Sequence, residues 1–275
     1  AWLWRPRSAA HFLRAFAFAL VAPTLIMALL LARQYINSER DKAVEAIRSS
    51  ARETLIAVER EMASPDVALR VLAAAPTLLN GDLGTFYSRA KRAADVLGGT
   101  VIVRSPGNPA QLLNTSVEWG KPLPSSSSTL VAFDQQSVRE DKIILTGVLK
   151  DPKTGAAIVV FLAPVVRDGQ PRYVLSVEMP ARHFANVFQQ LSLPPEGIAA
   201  VVDSRGRIVA RSAAGENFVG EEVPADWFEA AKHSEEVWQG RNLDGQMTIS
   251  SHARSEATGW IVAVAVPEQA LNAPV

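Results

Sequence analysis

The chain of 275 residues carries 28 Lys and Arg against 28 Asp and Glu, and no basic stripe runs along it, so the electrostatic footprint of a nucleic-acid binder is missing. It has no cysteine, which removes disulfides, thiolate zinc sites and thiol catalysis together. A chain of this size buries enough core to fold without such staples.

Residues 15–32 contain no charge, and a helix over that run covers roughly 27 Å, close to the hydrocarbon thickness of a bilayer. The run predicts a transmembrane helix at residues 12–33 behind a short cytoplasmic tail at 1–11. Signal peptides carry an apolar region of roughly 7–15 residues and a small-residue cleavage site. Here the run is longer and ends in Leu29, Leu30, Leu31, Ala32 and Arg33, so it reads as an uncleaved anchor. Pro23 is tolerated within a span. Arg5, Arg7 and Arg14 before it are matched by Arg33, Arg40 and Lys42 after it, so charge alone does not orient it. Long domains translocate largely regardless of local charge, which places the bulk of the chain in the periplasm of a bacterial inner-membrane protein.

After the span, Val44, Ile47, Ala51, Leu55, Val58 and Met62 recur at intervals of three and four, predicting an amphipathic helix that continues out of the membrane. Ser64-Pro65-Asp66 reads as a cap, a first-turn proline and a first-turn acid opening a second helix that ends near Pro76. A third is expected from Asp82 to Leu97, closed by Gly98-Gly99. Residues 34–97 thus form a kinked helical stalk.

Beyond Gly99 come short β-rich runs at Thr100–Arg104, Gln111–Thr115, Lys142–Lys150, Ala156–Val166 and Arg172–Met179. The pattern then repeats. Gly99-Thr-Val-Ile-Val-Arg104, Leu112-Leu-Asn-Thr115 and Trp119-Gly-Lys-Pro-Leu-Pro124 are answered by Gly197-Ile-Ala-Ala-Val-Val-Asp203, Ile208-Val-Ala-Arg211 and Val219-Gly-Glu-Glu-Val-Pro224. The stretch from Gly155 to Pro180 is answered by Gly245 to Pro267. An offset of roughly 90–100 residues fits two copies of a small domain better than a solenoid. The copies are expected at 98–181 and 197–270. Phe184, Val187, Phe188 and Leu191 mark one face of a linking helix within 182–196. Residues 271–275 read as the lead into a second span beyond Val275. The expected class is α+β, an N-terminal membrane helix and stalk followed by two tandem antiparallel-sheet units.

This layout resembles the double Cache, PAS-like sensor domains of bacterial receptors. The most specific matches are Gln111-Leu-Leu-Asn-Thr115 with Gly120-Lys-Pro-Leu-Pro124, Val201-Val-Asp-Ser-Arg-Gly-Arg-Ile-Val-Ala-Arg211 with Phe218-Val-Gly220, and Gly259-Trp-Ile-Val-Ala-Val-Ala-Val-Pro267. They resemble the extracytoplasmic halves of alphaproteobacterial sensor histidine kinases with HWE-type cores. The resemblance implies small-ligand sensing by the membrane-distal unit, 98–181, in a pocket between its sheet and the adjoining helices. The stalk helices are expected to pair in a homodimer, since a lone exposed apolar seam is costly, and no cofactor is expected. The family's amino-acid signature of ordered Tyr, Arg, Trp and Asp is not laid out in that unit, which points to a small carboxylate or another small polar solute. A chemoreceptor or a diguanylate cyclase uses the same sensor, and a membrane-tethered periplasmic enzyme is the remaining class.

No catalytic constellation stands out. His11, His183, His233 and His252 lack metal-ligand spacing, and there is no nucleophile elbow or phosphate loop. Catalysis is expected outside this segment, in a kinase region of the parent protein. For ligand binding the candidates are Tyr87 and Arg89 on the third helix, where an arginine can fork onto a carboxylate. To these are added Arg104 at a strand end, Phe133 and Asp134 beyond the serine run 125–128, and Tyr173 at the start of the fifth strand.

Overall fold

A computed structural model describes residues 9–191, 193–233 and 237–272. Residues 1–8 of the expected tail and residues 273–275 of the expected lead into a further span lie outside the described residues. Helix α1 (Ala9–Ala73) is 65 residues long, or about 98 Å. Its buried positions Ile47, Ala51, Thr54, Val58, Met62, Leu69 and Leu72 lie on one stripe at helical spacing. The expected start of a second helix at Ser64-Pro65-Asp66 is not formed: α1 runs through Pro65. A proline inside a helix costs about 3 kcal/mol. Met62 and Leu69, buried on either side, contribute roughly 1.5–3 kcal/mol each, and an Asp66–Arg70 ion pair of 2.8 Å spans the next turn. The expected stalk is therefore a spine against which both sheets pack, and not a free-standing spacer.

Among the described residues no helix is long and apolar enough to cross a membrane. The segment read as the span is the first part of α1, in which the side chains of residues 9–15, 17 and 32 are outside the described set. Within it Phe16, Phe18, Leu20, Leu25, Ile26, Met27, Leu29, Leu30 and Leu31 are all more than half exposed.

A single turn, α2 (Pro76–Leu79), leads to α3 (Leu83–Leu97). The Asp82 carboxylate caps α3 by accepting from the Thr85 N–H at 3.1 Å. Gly98 closes it at φ 64°, a left-handed conformation that favours glycine. Both ends of this helix match the sequence expectation.

The first sheet contains β1 (Thr100–Arg104), β2 (Gln111–Asn114), β3 (Ile144–Leu145), β4 (Leu149–Lys150), β5 (Ala157–Arg167) and β6 (Gln170–Pro180). Its order is β2-β1-β6-β5, with β3 and β4 both pairing with β5. Strand alternation divides it into two faces. Val101, Val103, Val159, Phe161, Leu175 and Val177 join Leu69 and Phe86 in the main core beside α1 and α3. The opposite face, with Val160, Leu162 and Val174, packs under Leu130 and Phe133 of α4 (Ser128–Glu140). Helix α4 was not expected as a helix. The Ser127 hydroxyl caps it by accepting from the Leu130 N–H at 3.3 Å.

The second sheet contains β7 (Ile198–Val202), β8 (Ile208–Arg211), β9 (Trp238–Arg241), β10 (Met247–Arg254) and β11 (Ile261–Pro267). Its order, β8-β7-β11-β10-β9, repeats that of the first. The registers repeat as well: Thr100 opposite Glu178, Ile102 opposite Ser176 and Arg104 opposite Val174 correspond to Ile198 opposite Ala265, Ala200 opposite Ala263 and Val202 opposite Ile261. One face, with Ala199, Ile249, Val264 and Val266, packs on Ile47 and Ala51 of α1. The other is covered by α6 (Ala225–His233) through Trp227 and Ala231, which follows the short α5 (Gly215–Phe218). The link between the sheets is a 3-10 helix, Ala181–Gln190, that buries Phe184 and Val187.

The expected strand at Lys142–Lys150 is interrupted between β3 and β4. There the Asp203 carboxylate, in the β7–β8 turn of the second sheet, accepts from the Val148 N–H at 2.9 Å, and a side chain at Gly147 would overlap that carboxylate. Glycine at 147 is what lets the two units approach.

Candidate functional site

Three polar outward positions on β1 and β6 decide the character of the first sheet under α4. Arg104 ends β1, and Ser176 and Glu178 alternate on β6 with Val174 between the sheet's apolar neighbours. Arg104 is fully buried and so is Asp134 of α4. The guanidinium forks onto the carboxylate, Nε to Oδ2 at 2.8 Å and Nη2 to Oδ1 at 2.6 Å. The remaining Nη1 donates to Ser176 Oγ at 3.1 Å and Ser126 Oγ at 3.5 Å. Gln111 Nε2 donates to the same Ser126 hydroxyl at 3.1 Å, and its Oε1 accepts from Asn114 Nδ2 at 2.7 Å. A polar network therefore runs from the sheet through the 125–128 segment to α4, beside the packed apolar cluster of Val160, Leu162 and Val174. Such a bidentate charged pair is the strong form of hydrogen bond, and its members are net neutral together.

Glu178 lies on the same face. Burial pushes its carboxyl up to about 7, opposed by the Arg104 charge and reinforced by Asp151.

The six candidates from the sequence separate into two groups. Arg104 and Asp134 meet, and Phe133 sits beside them on α4, packed into the same cluster. Phe133 also faces Arg205 of the second unit, whose guanidinium carbon lies 6.0 Å from the ring centre. It borders a cleft of about 810 Å³ between α1, α4 and the β7–β8 turn. Tyr87, Arg89 and Tyr173 are not brought to this place. The Tyr87 hydroxyl donates to the Val117 carbonyl at 3.0 Å and its ring tilts against Trp119 at 5.5 Å. Arg89 is exposed and lines a groove between α1 and α3. Tyr173 alternates with Leu175 and Val177, so it packs against the main core on the α1 side of the sheet. Ser176, Glu178, Ser126 and Gln111 were missed. The signal for Ser176 and Glu178 was the alternation of β6, where polar residues fall at every second position of an otherwise apolar strand.

No family model and no curated protein matches the chain in sequence. The fold is shared with solved sensory domains. The ligand-binding domain of the Campylobacter jejuni chemoreceptor Tlp3, solved with L-valine, superposes with a TM-score of 0.65 at 14% identity over 86% of this chain and 98% of that one. The ligand-binding domain of the Pseudomonas aeruginosa PAO1 amino-acid chemoreceptor PctB, solved with L-Gln, gives 0.64 at 14% over 82% and 92%. The extracellular domain of rpHK1S-Z16, a protein assigned as a histidine kinase, gives 0.60 at 17% over 90% and 100%. The architecture is that of double Cache-type ligand-binding domains, found on chemoreceptors and on a histidine kinase alike.

Proposed function

We infer that this chain is the extracytoplasmic small-ligand sensor of a membrane-bound receptor, and that the ligand engages the Arg104–Asp134 pair under α4. The observation that carries the reading is that pair: two fully buried opposite charges on a sheet face whose other residues are largely apolar. A ligand with a carboxylate would take the guanidinium fork, and one that also carries an ammonium group would take Asp134. Charge balance then refines the ligand class. A plain carboxylate, the class suggested by the sequence, would add a net negative charge beside Asp134 and Glu178 in a desolvated space. A zwitterion leaves the site neutral, so an α-amino acid is the better fit. L-valine and L-Gln in the neighbouring structures support this class.

Residues 98–181 would be the membrane-distal unit and 197–270 the proximal one. This agrees with α1, whose residues 47 and 51 touch the second sheet while 58–72 meet the first. The exposed apolar run of α1 would be the anchor, since large side chains exposed all round a helix are stable only against lipid or protein. Val67 and Val71 of α1 and Val96 of α3, exposed by 58, 62 and 88%, form an apolar seam suited to a homodimer. The output would be a histidine kinase of HWE type in the parent protein, and the same sensor suits a chemoreceptor.

The test is a thermal-shift screen of the full chain in lipid nanodiscs against amino acids and the monocarboxylates of matching side chain. Ligand at 100 times its Kd adds about 2.7 kcal/mol, or roughly 5–10 °C. Shifts confined to the amino acids support the reading. Shifts confined to the acids overturn the zwitterion assignment, and the absence of any shift overturns ligand binding by this pair.

A further inference from the structure

The second sheet has its own partly open cavity on the face covered by α6, and its chemistry is the inverse of the first. By register, Ser176 and Glu178 of the first sheet correspond to Ala263 and Ala265, and Ile102 to Ala200. These three alanines leave a floor too shallow to meet α6, and a cavity of about 80 Å³ remains, walled chiefly by Trp227, Trp238 and Leu243. At about 10–15 Å³ of such space per water-sized group, that is room for a compact molecule of about five to eight heavy atoms.

Arg211, Asn242, Thr248 and Ser250 supply the polar part of its lining. Arg211, which occupies the register position of Asn114, is 7% exposed and already neutralised. It pairs with Asp244, donates to the Ala213 carbonyl at 3.0 Å and stacks on Phe218 at 4.3 Å. Asn242 is different. Its Oδ1 accepts from the Asp244 and Gln246 N–H groups, each at 3.0 Å, which fixes the amide orientation. Its Nδ2 is buried without an acceptor among the described residues. A buried donor left unmade costs on the order of 1–3 kcal/mol. The Trp227 indole N–H needs no ligand, since it donates to Ser250 Oγ at 3.1 Å.

We propose that this cavity is a second binding site, for a small uncharged molecule with an apolar body and one hydrogen-bond acceptor, such as a short-chain or cyclic ketone. The alanine floor and tryptophan walls hold the apolar body, and Asn242 Nδ2 donates to the acceptor. Selection against charge follows from the pair: Arg211 has its counterion in Asp244, so an incoming carboxylate meets a neutral site and pays desolvation without a free cation.

The full chain in lipid nanodiscs is titrated with cyclopentanone by ligand-detected NMR, with butyrate as the charged comparison. Two variants interrogate the cavity. Ala263→Leu fills it, and Asn242→Asp keeps the acceptor that orders the 242–246 turn while removing the donor. The expected result is saturable cyclopentanone binding that each variant weakens at least tenfold, roughly the loss of one hydrogen bond or of the space itself, with butyrate neither binding nor competing. Absence of saturable binding up to about 50 mM, binding retained by both variants, or equal binding of butyrate overturns the proposal. Should Ala263→Leu fail to fold, Asn242→Asp decides alone. Neither variant touches Arg104 or Asp134, so failure here is distinct from failure of the first-sheet reading.

Discussion

The two sheets share strand order and register yet cover their outer faces in opposite ways. In the first, β1 and β6 present Arg104, Ser176 and Glu178, and α4 answers with Asp134, so the layer is held by charge and hydrogen bonds. In the second, the corresponding positions are Val202, Ala263 and Ala265, and α6 answers with Trp227, so the layer is held by apolar contact and one hydrogen bond to Ser250 and is left imperfectly filled. The difference teaches that a duplicated scaffold fixes where a site can form, while a few alternate strand positions fix what it can hold.

The largest expected effect breaks the charged layer. Arg104→Ala leaves Asp134 buried without its partner and should cost about 3–5 kcal/mol, whereas Arg104→Met with Asp134→Leu should lie within about 1 kcal/mol of the parent or above it. Denaturant titration of both, read against the parent, checks this. If the single variant is as stable as the double, the pair is not buried as described.

A second prediction concerns Glu178, whose carboxyl is pushed from 4.5 to about 7 by burial. Between those values the folded state keeps a proton that the unfolded chain has released, so stability falls as pH rises through that window, by up to about 3 kcal/mol above it. Glu178→Gln removes the loss. Its stability advantage should be near zero at pH 4 and largest at pH 8, and an advantage that does not depend on pH contradicts the assignment.

The third acts between the sheets. Gly147→Ala drives a methyl into the Asp203 carboxylate, which must release the Val148 N–H, at a cost of about 1–3 kcal/mol. Hydrogen exchange should speed up at Val148 and at Arg205 and Arg207, whose N–H groups the same carboxylate accepts at 2.8 and 3.0 Å. Unchanged exchange there would show that the units do not depend on this contact.

The smallest effect on folding is expected at the helical seam. Val71→Glu places a charge on an exposed position and should change monomer stability by less than about 0.5 kcal/mol. If the seam pairs two chains as proposed, it should nevertheless shift the chain toward monomer in sedimentation, and self-association unchanged by it would contradict the seam.

Much of this fold was legible in local signals. Asp82 and the Gly98-Gly99 pair marked both ends of α3 because capping is a short-range matter, and the repeated Gly-initiated strands announced two antiparallel-sheet units. What escaped depended on tertiary contact. Pro65 reads as a helix start in isolation, whereas the burial of Met62 and Leu69 and the Asp66–Arg70 pair carry α1 through it. The break at Gly147 answers to Asp203, 56 residues later in the chain. Within the site, Arg104 and Asp134 were visible as lone charges at a strand end and beyond a polar loop. Tyr87 and Tyr173 were equally plausible by residue type, and the parity of β6 and the packing of α3 turn them to the other side.

The most direct measurement is a calorimetric titration of the amino acid giving the largest thermal shift into the parent chain and into the Arg104→Met, Asp134→Leu variant, both confirmed folded. The account predicts saturable heat for the parent and none for the variant. Equal affinity in the two would place the ligand elsewhere and contradict the charged pair as its seat.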